Sequence, residues 1–278
     1  YQWEQQQPNK TWLRQHNGQQ WRDYSWSEVG VTARKLAAGL LAQGLETGDK
    51  VGLYAENSAH WVIADMAIMM AGMVSVPIYT SMPEAKIRYV VDHSEMKLLL
   101  VGDECALSVD EVEAAFAQQV KVLGMGYRSP HWQSLCEQAP ALTGNPHRDA
   151  DDLWSIAYTS GTTGLPKGVM HSFCTLPSSV YDIRLLCETS SESRYFSYLP
   201  LAHIAERSVV ELHSLYSGGM VGFNRSKETF VEDLLEIRPT FFFSVPRIWA
   251  NLKAGIVASM GEENWMRCIE EPEFGKAT

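Results

Sequence analysis

Cysteine is scarce and unpatterned: five residues in 278, an odd number without a C-x-x-C pair. That spacing excludes a disulfide framework and fits reduced thiols in the cytosol. Lysine and arginine form no cluster and the formal net charge is −10, so nucleic acid is excluded as a partner. The longest apolar run, 61–78, is interrupted by Asp65, small residues and a proline, so it is not a membrane span. No secretory leader precedes the sequons at Asn9 and Asn224, which are expected to be accidental. The chain opens on Tyr1 without a methionine, which predicts a trimmed or processed N-terminus. No G-x-S-x-G elbow exists, which removes the hydrolase reading. The S-x-x-K match at 94–97 lacks its companion motifs.

What is present is an ordinary globular composition, 45% hydrophobic and 20% charged, in a chain long enough for a sizeable core. A hairpin is predicted around Asn17-Gly18, with Trp12 and Trp21 flanking it. Ser25 or Ser27 then caps an amphipathic helix carrying Val29, Leu36, Leu40 and Leu41, ended by Gly44. Strands are predicted at 50–54, 74–78, 97–101 and 120–125. Helices are predicted at 59–71, from Pro83 to about His93, and at 103–118. Residues 129–150, with prolines at 130, 140 and 146, read as an irregular crossing. A second alternation follows: helices at 172–187, 203–216, 227–237 and 246–260, strands at 194–198, 220–223 and 240–244. Repeated βα alternation with short links means right-handed crossovers and parallel sheets covered by helices. The expected fold is α/β in two βαβα series, 1–150 and 151–278, with no internal repeat.

One stretch stands out: Ile156-Ala157-Tyr158-Thr159-Ser160-Gly161-Thr162-Thr163-Gly164-Leu165-Pro166-Lys167-Gly168-Val169-Met170. Two strands are expected to flank a loop suited to a phosphate chain. Gly161 and Gly164 allow positive φ and close backbone approach. Thr159, Ser160, Thr162 and Thr163 bring hydroxyl donors, and Lys167 brings a point charge. The competing reading of such a stretch is a solvated polar loop. It is not a Walker loop: Pro166 stands where the second glycine belongs, and Gly168 stands where the magnesium-binding hydroxyl belongs.

The string resembles the phosphate-binding signature of the acyl-activating (adenylate-forming) enzyme superfamily, Tyr-Thr-Ser-Gly-Thr-Thr-Gly-x-Pro-Lys-Gly-Val. Three further stretches are similar to its long-chain fatty acyl-CoA synthetase branch. They are Ala71 through Tyr79, Tyr198-Leu199-Pro200-Leu201-Ala202-His203-Ile204-Ala205-Glu206-Arg207, and Ser244-Val245-Pro246-Arg247-Ile248-Trp249. One departure is Met170-His171-Ser172-Phe173, where the pattern has one or two more residues before its histidine; this puts the role of His171 in doubt.

The resemblance covers the N-terminal half of the family pattern, an acyl-CoA synthetase-like N-terminal domain that is truncated. The second subdomain is incomplete, and the C-terminal lid domain with its catalytic lysine is absent. It implies ATP, Mg2+ and CoA as cofactors or substrates of the intact enzyme, a fatty acid as the acyl substrate, and two steps: carboxylate adenylation, then thioester formation. It also implies that Thr159, Ser160, Gly161, Thr162, Thr163, Gly164 and Lys167 bind the nucleotide. No complete catalytic set and no metal site is expected. The fragment alone is expected to be inactive.

His203 lies, by resemblance, near the acyl or pantetheine pocket; alternatively it is a helix N-terminal histidine bonded to Glu206 or backbone. Glu206-Arg207 is expected to form a structural ion pair, and Arg247 to be structural. Peripheral membrane contact and self-association through uncovered strand edges stay open. So do two alternatives: a non-catalytic nucleotide-binding or interaction module, and an aryl- or amino-acid-activating branch of the same superfamily.

Overall fold

The computed structural model describes residues 1–270 apart from 104, 106, 127, 160–163 and 176, and only the backbone of 177–179, 181 and 182. The chain parts into two compact units, Tyr1–Phe241 and Phe242–Thr278.

The first unit begins with a short helix, α1 (Gln2–Gln6), and the expected hairpin, β1 (Thr11–His16) and β2 (Trp21–Ser25). Its turn is built as the sequence suggests: Gly18 takes φ +94°, and Asn17 Oδ1 accepts from the backbone N–H groups of Gln19 and Gln20. Ser25 Oγ accepts from Glu28 N and so caps α2 (Trp26–Ala42). β3 (Lys50–Tyr54) leads to α3 (Ala59–Met70), capped by Ser58 and buried almost all round. Then come β4 (Val74–Ile78), α4 (Glu84–Ser94), β5 (Leu98–Gly102), α5 (Val109–Phe116), β6 (Lys121–Met125) and α6 (Pro130–Glu137).

After an irregular crossing come β7 (Leu153–Thr159), β8 (Lys167–Ser172), α7 (Pro177–Leu186) and β9 (Arg194–Ser197). A continuous helical rod follows, made of α8 (Ile204–Glu206), a π-helical segment (Arg207–Leu212) and α9 (His213–Ser217). The unit closes with β10 (Met220–Phe223) and α10 (Phe230–Ile237). The second unit holds α11 (Pro246–Met260) and α12 (Glu262–Glu270), with Phe242 edge-on to Trp249 and Lys253 over the Trp265 ring.

Two sheets result, of order β6-β5-β3-β4-β7-β8 and β2-β1-β10-β9. The parallel α/β architecture holds, and each sheet also carries one antiparallel strand at an edge, β8 or β2. In space the two βα series exchange strands. β7 and β8 complete the first sheet, while β1 and β2 complete the second. The compact units part at 241/242.

Three expectations need correction. The helix placed at 103–118 is confined to Val109–Phe116, because the capping box of Ser108 and Glu111 starts it late. The crossing placed at 129–150 opens with a true helix, α6. Ser129 caps it, Pro130 fits its first turn, and Trp132 and Leu135 are its buried anchors. The strand placed at 240–244 reduces to one bridge, Tyr195 with Phe241.

Candidate functional site

The glycine-rich stretch is a β-hairpin. β7 and β8 pair antiparallel from Leu153↔Ser172 to Thr159↔Lys167, so Thr159 and Lys167 stand opposite each other at the open end. Opposed residues of an antiparallel pair share a face. A hydroxyl and an ammonium therefore project together, both exposed, at the mouth of the loop. Lys167 makes no ion pair among the described residues. Gly164 takes φ +93°, as the glycine reading requires, with open space where a Cβ would stand. Ser160, Gly161, Thr162 and Thr163 lie outside the described residues.

The base of this hairpin is tightly built. Tyr158 is buried, and its hydroxyl lies 2.8 Å from His93 Nδ1 at the end of α4. Burial and the neighbouring Tyr89 push its phenol up to about 12, so it stays protonated. Gly168 pairs with Tyr158, and a Cβ there would stand 2.9 Å from Ile156 Cγ2 and 3.3 Å from Tyr158 Cζ.

A second cluster forms where the carboxyl ends of β3, β4 and β9 meet, the kind of place where α/β sheets take ligands. Asn57, just beyond β3, donates to Ser197 Oγ (2.9 Å) and to the Leu199 carbonyl (2.6 Å), and accepts from Leu201 N (2.8 Å). One amide side chain thereby fixes the Leu199-Pro200-Leu201 turn. His203 follows the turn and stands edge-on to Tyr79, ring centroids 6.4 Å apart. Its Nδ1 accepts from Ala205 N at 3.1 Å. His203 thus stands at the N-terminus of the helical rod, bonded to backbone, beside Tyr79.

The expected ion pair between Glu206 and Arg207 is not formed. Glu206 turns toward β9, where Oε1 accepts from Ser197 Oγ (3.0 Å) and Tyr198 N (3.1 Å). Burial pushes its carboxyl up to about 8 against the pull of those donors. Arg207, fully buried, turns to the other sheet instead. It donates to Asp65 Oδ2 (2.5 Å), Ser155 Oγ (2.7 Å), Ser75 Oγ (3.3 Å) and Glu211 Oε2 (3.4 Å). Its guanidinium lies 3.9 Å from the Trp154 ring centroid and 5.3 Å from that of Trp61. The physical reason is divergence: consecutive residues on a helix point about 100° apart, so a neighbouring pair cannot share one partner.

The structure thus brings Thr159, Gly164 and Lys167 to one loop and places His203 in the separate β3/β4/β9 cluster. His171 lies on β8 opposite Ser155, and burial together with the Arg207 charge lowers its pKa. Arg247 lies in the second unit, at the exposed start of α11. Sequence reasoning missed Asn57, Ser75, Ser155 and Glu211. It used Asp65 only to reject a membrane span. An acid inside an apolar helix is itself a signal, because burial of such a group demands a cationic partner.

Comparison with known proteins gives the family and the fold. A family described as AMP-binding enzyme matches residues 1–273. Fatty acyl-CoA synthetase A of Dictyostelium discoideum is 32% identical over 271 residues, 88% of this chain and 39% of its own length. Long chain acyl-CoA synthetase 6, peroxisomal, of Arabidopsis thaliana is 32% identical over 257 residues, 84% of this chain and 36% of its own length. The chain therefore spans less than half of the curated relatives it matches. ATP-bound MatB from Rhodopseudomonas palustris superposes with a TM-score of 0.76 at 27% identity, covering 88% of this chain and 48% of that one. The o-succinylbenzoate CoA synthetase of Bacillus subtilis in complex with AMP shares the fold, with a TM-score of 0.77 at 21% identity, over 90% of this chain and 62% of that one.

Proposed function

The chain belongs to the AMP-binding enzyme family, and from that premise we propose that it supplies the triphosphate-binding part of an ATP-dependent long-chain fatty acid–CoA ligase. The carrying observation is the hairpin mouth, where Thr159 and Lys167 are in register and Gly164 takes a positive φ. This donor set fits a polyphosphate: a hydroxyl, an ammonium with no ion-pair partner among the described residues, and a glycine that lets backbone N–H groups approach an anion. Ser160, Gly161, Thr162 and Thr163 complete it by resemblance.

Bound ATP would supply a phosphorus electrophile and a pyrophosphate leaving group, Mg2+ would neutralise their charge, and CoA would supply the accepting thiol. What this chain's residues do is hold and neutralise the β- and γ-phosphates. His203 and Tyr79, at the carboxyl ends of the strands, are assigned to the wall facing the acyl or pantetheine group. Fatty acid as the substrate follows the names of the curated relatives. No helix among the described residues is long and apolar enough to cross a membrane. The five free thiols suit a reducing compartment, which we take to be the cytosol.

The test is hydrogen exchange on the chain with MgATP, pyrophosphate or AMP. Protection of amides in 159–168 by MgATP and pyrophosphate but not by AMP is the expected result. Protection elsewhere, with that loop unchanged, would overturn the assignment.

A further inference from the structure

The first sheet has one seam of short register. β3 and β4 pair along their whole length, from Lys50↔Val74 to Tyr54↔Ile78, and β5 and β6 pair from Leu98↔Lys121 to Gly102↔Met125. Between β4 and β7 the register among the described residues joins Ser75 to Ser155 and goes no further. Pro77, two residues along β4, has no N–H to extend a ladder. Yet this seam carries the whole β7–β8 hairpin, and with it the phosphate loop.

Arg207 sits on the seam. Nη1 donates to Ser155 Oγ of β7, and Nη2 donates to Ser75 Oγ of β4 and to Asp65 Oδ2 of α3. Ser155 Oγ in turn donates to the Ser75 carbonyl at 2.9 Å. The guanidinium lies over the rings of Trp154 and Trp61. Arg207 is also the first residue of the π-helical segment, a wide turn of the kind found at functional positions. We propose that Arg207 is a positioning residue for the phosphate hairpin: anchored by Asp65, its planar fork joins Ser75 to Ser155 and so fixes where Thr159 and Lys167 stand.

The charge balance supports a held, not a sliding, guanidinium. Asp65 from α3 and Glu211 from the π-helical segment face it, with His171 of β8 nearby. Burial and the Asp65 carboxylate hold Glu211 well above the usual carboxylate range. A lysine could satisfy Asp65 but could not span two hydroxyls, because its ammonium is a point charge without a fork.

The consequence for phosphate capture rests on the proposed function; the clamp itself does not. The experiment is hydrogen exchange on the whole chain for Ser155→Ala and Arg207→Lys, followed by calorimetric titration of MgATP and AMP. Ser155→Ala is expected to speed exchange in 153–159 and 167–172 about tenfold, the equivalent of losing one hydrogen bond to a charged group, with β5 and β6 unchanged. Arg207→Lys should do the same, and both should lower MgATP affinity more than AMP affinity. Wild-type exchange in β7 and β8 of Ser155→Ala, or loosening spread evenly over the sheet, would overturn the proposal. Should Arg207→Lys fail to fold, Ser155→Ala decides alone. A wild-type chain that binds neither MgATP nor pyrophosphate refutes the phosphate reading, while the exchange data still judge the clamp.

Discussion

Tyr158 Oη stands 2.8 Å from His93 Nδ1, which ties the strand entering the loop to the last turn of α4. The same phenol lies against Gly168 across the ladder, where any Cβ would crowd Ile156 and the ring itself. The loop's footing is therefore fixed from two sides. Tyr158→Phe is expected to cost about 1 kcal/mol through the lost hydrogen bond. Gly168→Val should cost about 1–3 kcal/mol through overpacking. Denaturant titration at constant m checks both, and an unchanged midpoint for Gly168→Val would contradict the packing argument.

Lys167→Ala and Gly164→Val should weaken MgATP binding while sparing AMP, which lacks the β- and γ-phosphates. The two act differently. Lys167→Ala removes charge, whereas a Cβ at Gly164 meets none of the described residues, so Gly164→Val acts through the strain of φ +93°, about 1–3 kcal/mol. Calorimetry on both variants is the measurement; equal losses for ATP and AMP would sink the assignment.

Glu206 predicts a pH dependence. Its carboxyl in the folded chain keeps its proton up to about 8, against 4.5 in a free side chain. Between those values the native state binds more protons than the unfolded one, so stability falls as pH rises, by at most about 1.4 kcal/mol per pH unit. Below this window the full contribution is present. His60 and His213, lowered to about 4 by burial, slope the opposite way below 6.5, and Glu211, also raised by burial, slopes the same way as Glu206, so the comparison is made between pH 6.5 and 8. In that range Glu206→Gln should flatten the stability curve. A wild-type slope surviving in the variant would show that another group causes it.

Two helix glycines should respond with opposite signs. A Cβ on Gly39 of α2 would stand 2.0 Å from the Leu135 carbonyl of α6, a backbone atom that cannot swing aside. Gly39→Ala should therefore destabilise by about 2 kcal/mol or more. Gly255 of α11 meets nothing, and Gly255→Ala should raise the helicity of Pro246–Met260, by up to about 1 kcal/mol. Thermal melts and circular dichroism of the pair decide this.

The chain alone should form no acyl-CoA. On the proposed reading the hairpin holds the leaving end of ATP, but positioning a carboxylate against phosphorus can be worth about 7–11 kcal/mol and needs groups beyond that loop. Incubation with ATP, Mg2+, palmitate and CoA, read by mass spectrometry for AMP and thioester, is the check. Turnover near that of an intact synthetase would refute the division of labour proposed here.

Local chemistry was legible because its causes are local. Ser25 and Ser58 cap the helices they precede, Asn17-Gly18 turns a hairpin, and strands β3, β4 and β10 fall where the apolar runs place them. The two strands that flank the glycine-rich loop were readable for the same reason, since apolar runs lead into it and out of it. α6 was missed because the prolines at 130, 140 and 146 outweighed the single capping serine, and only the docking of Trp132 and Leu135 makes it a helix.

What the sequence could not decide is where its charges go. Glu206 and Arg207 are neighbours in the chain and read as a pair, yet the helical rod sends one to β9 and the other to the β4–β7 seam. Arg207 finds Asp65 across 142 residues, and Asn57 finds Leu201 across 144. Local propensity acts over a few residues, whereas a buried charge is stable only beside its partner. The choice of partner was therefore made by the packing of α3, the rod and the two sheets against one another.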